Sequence, residues 1–330
     1  MNIETVIEKK PVKKKVILPG AIQQTLAFGS LIVLVVFFSI ASSSFLQWSN
    51  IIGILLSTAV IGILALGATF VIITSGIDLS VGTVMTLSSV ITGVVIVNAG
   101  LPIFAGILAG IATGAFCGFL CGLAITKLKI PPFIATLAMM MVAKGLALVI
   151  SGAAPIYFTE HKIFTKIALG SIIPGVNIPN AVLIFFISAI IGAIILSKTI
   201  LGRYNFAIGS NEEATKLSGV NVDFWKVSIY SLAGAFTGIA GVIMASRLNS
   251  AQPALGQGYE LEAIAAVVIG GTSLSGGKGT IIGTVIGALI MSVLTNGLRI
   301  MSIPQEWQTV VVGLVIILAV YMDIIRRRKE

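Results

Sequence analysis

The chain has 330 residues, of which 57% are apolar and only 10% charged, and its mean hydropathy is +1.09. Soluble domains carry about a quarter charged residues, so this composition excludes an ordinary soluble fold and points to a lipid-embedded one. The net charge of +9 does not indicate a nucleic-acid binder, because the basic residues are confined to chain ends and to gaps between apolar runs.

A segment over 1–20 carries Lys9, Lys10 and Lys13 to Lys15 and precedes the first apolar run. Ala41-Ser42-Ser43-Ser44 is only a weak cleavage site, so this run is expected to stay attached as an anchor. No Asp, Glu, Lys or Arg occurs between Lys15 and Asp78, or between Asp78 and Lys127. At about 20 apolar residues per crossing, hydropathy predicts ten spans, near 22–45, 51–73, 80–98, 102–126, 132–151, 179–197, 226–246, 259–273, 279–298 and 307–325. The expected fold is an all-α, multi-pass membrane protein with a transmembrane domain over 21–325. Both termini are expected in the cytoplasm. That orientation puts the amino-terminal lysines, Lys127, Lys129, the 198–225 loop, Lys278 and a basic tail over 326–330 inside, which accounts for most of the 21 basic residues.

The eighth span is too short for a comfortable crossing, since Glu262 and Lys278 bound it closely. It reads as a half-helix, with 259–298 forming a broken pair. A weak internal repeat supports this, because Ile73 to Thr83 resembles Ile269 to Gly279, and Gly-interrupted segments in corresponding halves point to a transport pathway. The same stretches also fit two tight cytoplasmic turns, capped by Asp78 or Ser80 and by Ser273 or Ser275. The polar residues Ser80, Ser273, Ser275 and Asn296 are the candidates for lining a path. Lys144, inside the fifth span, either snorkels to the outer face or faces that path. Asp78 is expected at an interface, and Glu260 and Glu262 as wet residues at the outer end of the eighth span.

Gly106, Gly110, Gly114, Gly118 and Gly122 recur every four residues along the fourth span and form a stripe for close helix packing. Trp48, Trp225, Trp307 and Tyr321 fall near span ends, where amphipathic rings favour headgroups. The segments 152–178 and 247–258, with Pro155, Pro174, Pro179 and Pro253, read as outer loops. Cys117 and Cys121 sit one turn apart in an apolar run and read as packing residues. His161, the single histidine, lies in an outer loop with no cluster to make a metal site.

The stretch Gly271 to Gly279 fails as a phosphate-binding loop. Its first glycine is one residue early, and Gly279 stands where Ser or Thr is required. The chain therefore has no nucleotide motif, and no nucleophile with a base in reach, so neither cofactor nor catalysis is expected of it. The 198–225 loop carries the strongest signal, a polar island among apolar spans. Asn211 is placed to cap a short helix, with Glu212 and Glu213 in its favourable first turn and Gly219 at its end. Such a small mixed face suits a groove on a partner.

These residues resemble a known pattern. Glu213-Ala214-Thr215, followed by Gly219, looks like the E-A-A-x-x-x-G loop of ABC importer permeases, with Thr in place of the second Ala. Gly202 to Asn211, Thr74 to Gly82, Pro131 to Leu137 and Gly270 to Gly277 resemble ribose-type sugar permeases in order along the chain. The resemblance implies a monosaccharide importer subunit, ribose first, in the cytoplasmic (inner) membrane of a bacterium. It implies a dimer of permease chains, most simply a homodimer. A cytoplasmic ATP-binding-cassette subunit, which uses ATP and Mg, would press on 211–219, and an extracytoplasmic sugar-binding protein would dock on 152–178 and 247–258. Two other classes remain open at this point: a secondary, ion-coupled transporter, and an intramembrane enzyme, for which no buried base is evident.

Overall fold

The computed structural model describes residues 19–172 and 177–327, with side chains over 24–172 and 177–325. Most of the expected segment 1–20, Pro174 and the side chains of the 326–330 tail lie outside the described residues. Thirteen helices are present among those described, nine of them long and apolar enough to cross a membrane. They are α1 (Pro19–Ala41), α2 (Trp48–Ile73), α3 (Val81–Gly93, continued by a wider π-turn over Val94–Asn98), α4 (Ile103–Thr126), α5 (Pro132–Ser151), α6 (Lys162–Leu169), α7 (Asn180–Lys198), α8 (Ile200–Ser210), α9 (Glu212–Leu217), α10 (Val222–Leu248), α11 (Tyr259–Ile269), α12 (Ile281–Ile300) and α13 (Gln305–Arg327).

With the short α11 counted among the crossings, successive ones alternate in direction, so the bundle has two ends. One end carries α9 and the other a two-stranded ribbon, β1 (Ile156–Tyr157) with β2 (Ser250–Ala251), paired antiparallel. The ribbon joins the two segments that the sequence reads as outer loops. Ser246 reinforces it by donating to the Phe164 carbonyl (2.6 Å) and accepting from the Ala168 amide (2.9 Å), which fixes α6 to α10. Neither α6 nor α8 is legible in hydropathy, because each is too short and too polar on one face.

The core centres on α2, whose run from Thr58 to Ile73 is buried throughout. It is surrounded by α7, α10, α11 and α12. Such an all-round apolar helix is what a central position demands. By contrast α1 and α13 are peripheral and mostly exposed, as suits lipid-facing helices. Phe38 of α1 still inserts against Gly297 of α12, where a side chain on residue 297 would collide with its ring.

The glycine stripe of α4 divides its work. Gly106 and Gly110 lie against Ile96 and Thr92 of α3, whereas Gly114, Gly118 and Gly122 lie against Gly234, Tyr230 and Val227 of α10. At the crossing, a Cβ on Gly114 would strike the Gly234 carbonyl oxygen and come within 2.7 Å of the Gly238 nitrogen. Backbone therefore meets backbone there, which only paired small residues allow. Cys117 and Cys121 are free and buried beside this seam.

Two crossings are broken. The chain leaves α2 at Ile73, runs non-helically through Gly76 to Ser80, and starts α3 only at Val81. Asp78 is 5% exposed, so it is packed inside the protein at the foot of α3. Its Oδ1 accepts from the Ser80 amide (2.8 Å) and Ser80 Oγ (2.6 Å), which compensates for burial. The eighth span is α11, eleven residues and about 16 Å long. Residues 252–258 complete that crossing as irregular chain beside α3. There Thr86 donates to the Leu255 carbonyl (2.5 Å), and Gly256 packs on Gly82. Glu260 is buried, its carboxylate accepting from the Gly258 amide (3.0 Å), and is not the wet residue the sequence suggested. The expected caps also need correction. Ser80 stands at the α3 N-cap without a side-chain capping bond, and α12 is capped by Thr280, which accepts from Gly283 N, not by Ser273 or Ser275.

The seam gives a direct test. Gly114→Ala is expected to lower stability by about 1–3 kcal/mol, because backbone cannot yield as a side chain does. Gly145→Ala, where a Cβ meets nothing within 4 Å, should be neutral or gain up to about 1 kcal/mol from helix propensity. Thermal unfolding of the detergent-solubilised protein, followed by circular dichroism, separates the two; equal midpoints would remove the seam argument.

Candidate coupling surface and pathway

The α9 helix is built as its sequence dictates. Asn211 adopts extended backbone and its Oδ1 accepts from Ala214 N (2.9 Å), so the first turn is capped. Glu212 and Glu213 lie in that turn, and Glu212 pairs with Lys226 of α10 at 2.6 Å. Thr215 is buried and donates to the Asn211 carbonyl (2.8 Å). Ala214 is exposed on the outside of the turn, and Leu217 is 88% exposed. Gly219 ends the helix with φ +83 and open space around it. The helix thus presents an apolar tip, Leu217, on an otherwise polar exposed surface.

What lies beneath α9 is as informative. Residue 209 of α8 meets the end of α2 and the loop after α11: a Cβ there would collide with the Ile73 carbonyl oxygen and approach Gly277 N to 2.7 Å. Gly277 N donates to the Ile73 carbonyl (2.9 Å), and Ser75 Oγ donates to the Ser275 carbonyl (2.8 Å). The two segments of the internal repeat thus touch each other directly under α8. Tyr204 and Trp225 add a ring contact at 5.1 Å between α8 and α10, and Lys127 and Lys129 each reach Asp223 at 3.5 Å.

The path candidates are scattered. Ser80 is buried and bound to Asp78; Ser273 is buried in the turn before Lys278, where its amide donates to the Lys278 carbonyl (3.0 Å); Ser275 is exposed. Asn296 is half-buried on α12, near Gly53 of α2. Lys144 Nζ donates to Gln257 Oε1 at 3.3 Å. The structure does not bring Ser80, Ser273, Ser275 and Asn296 to one place.

It does form a cavity of about 430 Å³ towards the ribbon end, between α2, α11, α12 and α13 and capped by the end of α10. Arg247, Gln257, Tyr259, Glu262, Arg299 and Gln308 supply its polar chemistry, against apolar walls from Val60, Ile61 and Val312. Sequence reasoning missed this group because its members sit at the ends of separate helices. The one available signal was that Arg247 and Arg299 are isolated cations at helix ends on the face otherwise poor in basic residues. Among the described residues no group of three or more His, Cys, Asp or Glu is placed to hold a metal.

Comparison with known proteins places this architecture. A family model described as branched-chain amino acid transport system / permease component matches residues 50–320. The chain is 47% identical over 312 residues to the ribose import permease protein RbsC of Bacillus subtilis (strain 168), covering 94% of this chain and 96% of that one. It is 42% identical over 300 residues to RbsC of Escherichia coli (strain K12), covering 89% and 91%. It is also 34% identical over 355 aligned positions to the xylose transport system permease protein XylH of Haemophilus influenzae, covering 90% and 95%. No solved structure matches. The matched region runs from α2 through most of α13, and the chain belongs to this family of transport-system permease components.

Proposed function

We propose that this chain is the membrane-spanning subunit of an ATP-driven importer for a monosaccharide, ribose first, and that it works as a homodimer in the cytoplasmic membrane of a bacterium. The single observation that carries the reading is α9, a capped and exposed helix packed on α8, whose Gly209 in turn sits against both repeat segments. The ribose and xylose permeases at 34–47% identity support the solute class. The excess of basic residues in segments at the α9 end supports a cytoplasmic position for that end.

In this reading ATP and Mg are used on a partner ATPase, and the chain itself performs no chemistry. Closure of the ATPases displaces α9. The Glu212–Lys226 pair and the Tyr204–Trp225 contact pass the displacement to α10 and α8. Gly209 passes it to the end of α2 and to the loop that leads into α12. Packed backbone of this kind shifts as rigid bodies and does not deform smoothly. At the ribbon end, a sugar-binding protein docks over α6 and the β1–β2 ribbon.

Two outcomes are expected. In proteoliposomes, ribose uptake requires the permease, an ATPase and a binding protein together, and Gly219→Trp brings that uptake to background while leaving membrane insertion intact. Normal uptake by this variant would remove the coupling role of 211–219. Asn211→Ala should cost about 1 kcal/mol of local stability, seen as faster amide hydrogen exchange over 212–217 with exchange elsewhere unchanged.

A further inference from the structure

The cavity at the ribbon end collects charge from three separate helices. Arg247 comes from the last turn of α10, Arg299 from the last turn of α12 and Glu262 from the first turn of α11. No ion pair within 4.0 Å joins the three among the described residues. Charged side chains within membrane helices are expensive and rarely kept without a role. A purely structural role would draw them into a tight, hydrogen-bonded pair, which is how a buried ion pair recovers its desolvation cost. Here they stand apart around a space of about 430 Å³, far larger than a single water needs.

The donors and acceptors suit one chemical class. Guanidinium groups only donate, the Glu262 carboxylate when ionised only accepts, and the amides of Gln257 and Gln308 do both. A hydroxyl also does both, so a compact polyol satisfies all of these groups at once. A phosphate only accepts, and it would face Glu262 unfavourably. Tyr259 contributes an aromatic surface to the same lining, which suits the C–H face of a sugar ring.

We propose that this cavity is a weak sugar-holding site of the permease itself, occupied between release from the binding protein and passage through the bundle. The assignment rests on the monosaccharide reading above. It adds that selectivity is exercised twice, once by the binding protein and once by Arg247, Glu262 and Arg299. The site is also tied to the coupling end. Tyr259 and Glu262 begin the same half-helix, α11, whose far end runs into the loop held by Ile73 and Ser75 beneath α8. That continuity gives displacement of the loop a direct route along α11 to Tyr259 and Glu262.

Two measurements on the complete transporter, with its ATPase and binding protein, decide the matter. First, Arg247→Gln/Arg299→Gln and Glu262→Gln are compared with the parent for ribose uptake, each variant being required to co-purify with the ATPase. Loss of charge-assisted contacts is expected to lower uptake at least about tenfold in each. Second, Thr309→Cys at the cavity wall, in a Cys117→Ala/Cys121→Ala background, is labelled with a soluble maleimide. Ribose at about 50 mM should slow labelling about threefold, whereas inorganic phosphate and leucine at the same concentration should not. Unaltered uptake in both variants, or protection by phosphate or leucine but not by ribose, would overturn the proposal. If the parent complex imports no sugar, the importer reading fails by itself, and the labelling experiment still decides what the cavity holds.

Discussion

The architecture turns on one contact, the amide of Gly277 donating to the carbonyl of Ile73 beneath the side-chain-free surface of Gly209. It brings together the end of the central helix, the turn before α12 and the helix that carries α9. Carbonyl groups at helix ends need partners, and here the partner comes from 204 residues further along the chain (277 − 73). A side chain at position 209 would push α8 off this seat. The exposed helix would then keep its links to α10 but lose the one that reaches the end of α2 and the turn before α12.

The two interrupted crossings follow from the same rule applied deeper in the bundle. Irregular backbone is tolerated at membrane depth only where protein or water satisfies its polar groups. Both interruptions are covered by protein: Thr136 donates to the Ile77 carbonyl (3.3 Å), and Thr86 donates to the Leu255 carbonyl. Each also carries a buried carboxylate, Asp78 or Glu260, that accepts from a nearby main-chain amide. Gly82 joins them, since it packs on Gly256 and against Glu260. The beginnings of α3 and α11 are therefore neighbours, and their interruptions form one region.

Much of this was legible in the sequence, for physical reasons. Long apolar runs report crossings directly, and the alternation of direction follows from their number. The Asn211 cap, the acidic first turn and Gly219 are local signals, and local signals survive folding. The α4 glycine stripe announces close approach but not its partners, which proved to be α3 for the first two glycines and α10 for the other three. What stayed hidden depends on tertiary placement. The burial of Asp78 and Glu260 is invisible without knowing that α3 and α11 start inside the bundle. Ser273 and Ser275 resemble caps as well as Thr280 does, and only backbone geometry chooses between them. The cavity residues come from five helices and the segment before α11, so no window of sequence contains them.

The backbone-to-backbone seam between α4 and α10 has a mechanical meaning. Interdigitated side chains offer a ladder of alternative rungs on which one helix can slip past another, whereas a glycine crossing offers none. With 27 residues α10 is about 40 Å long, has α9 packed at its foot, and carries Arg247 at its head. Contact with α4 runs from Val227 to Val242, more than half of its length, so α4 and α10 form one stiff beam that joins the foot beside α9 to the guanidinium at the far side of the lipid.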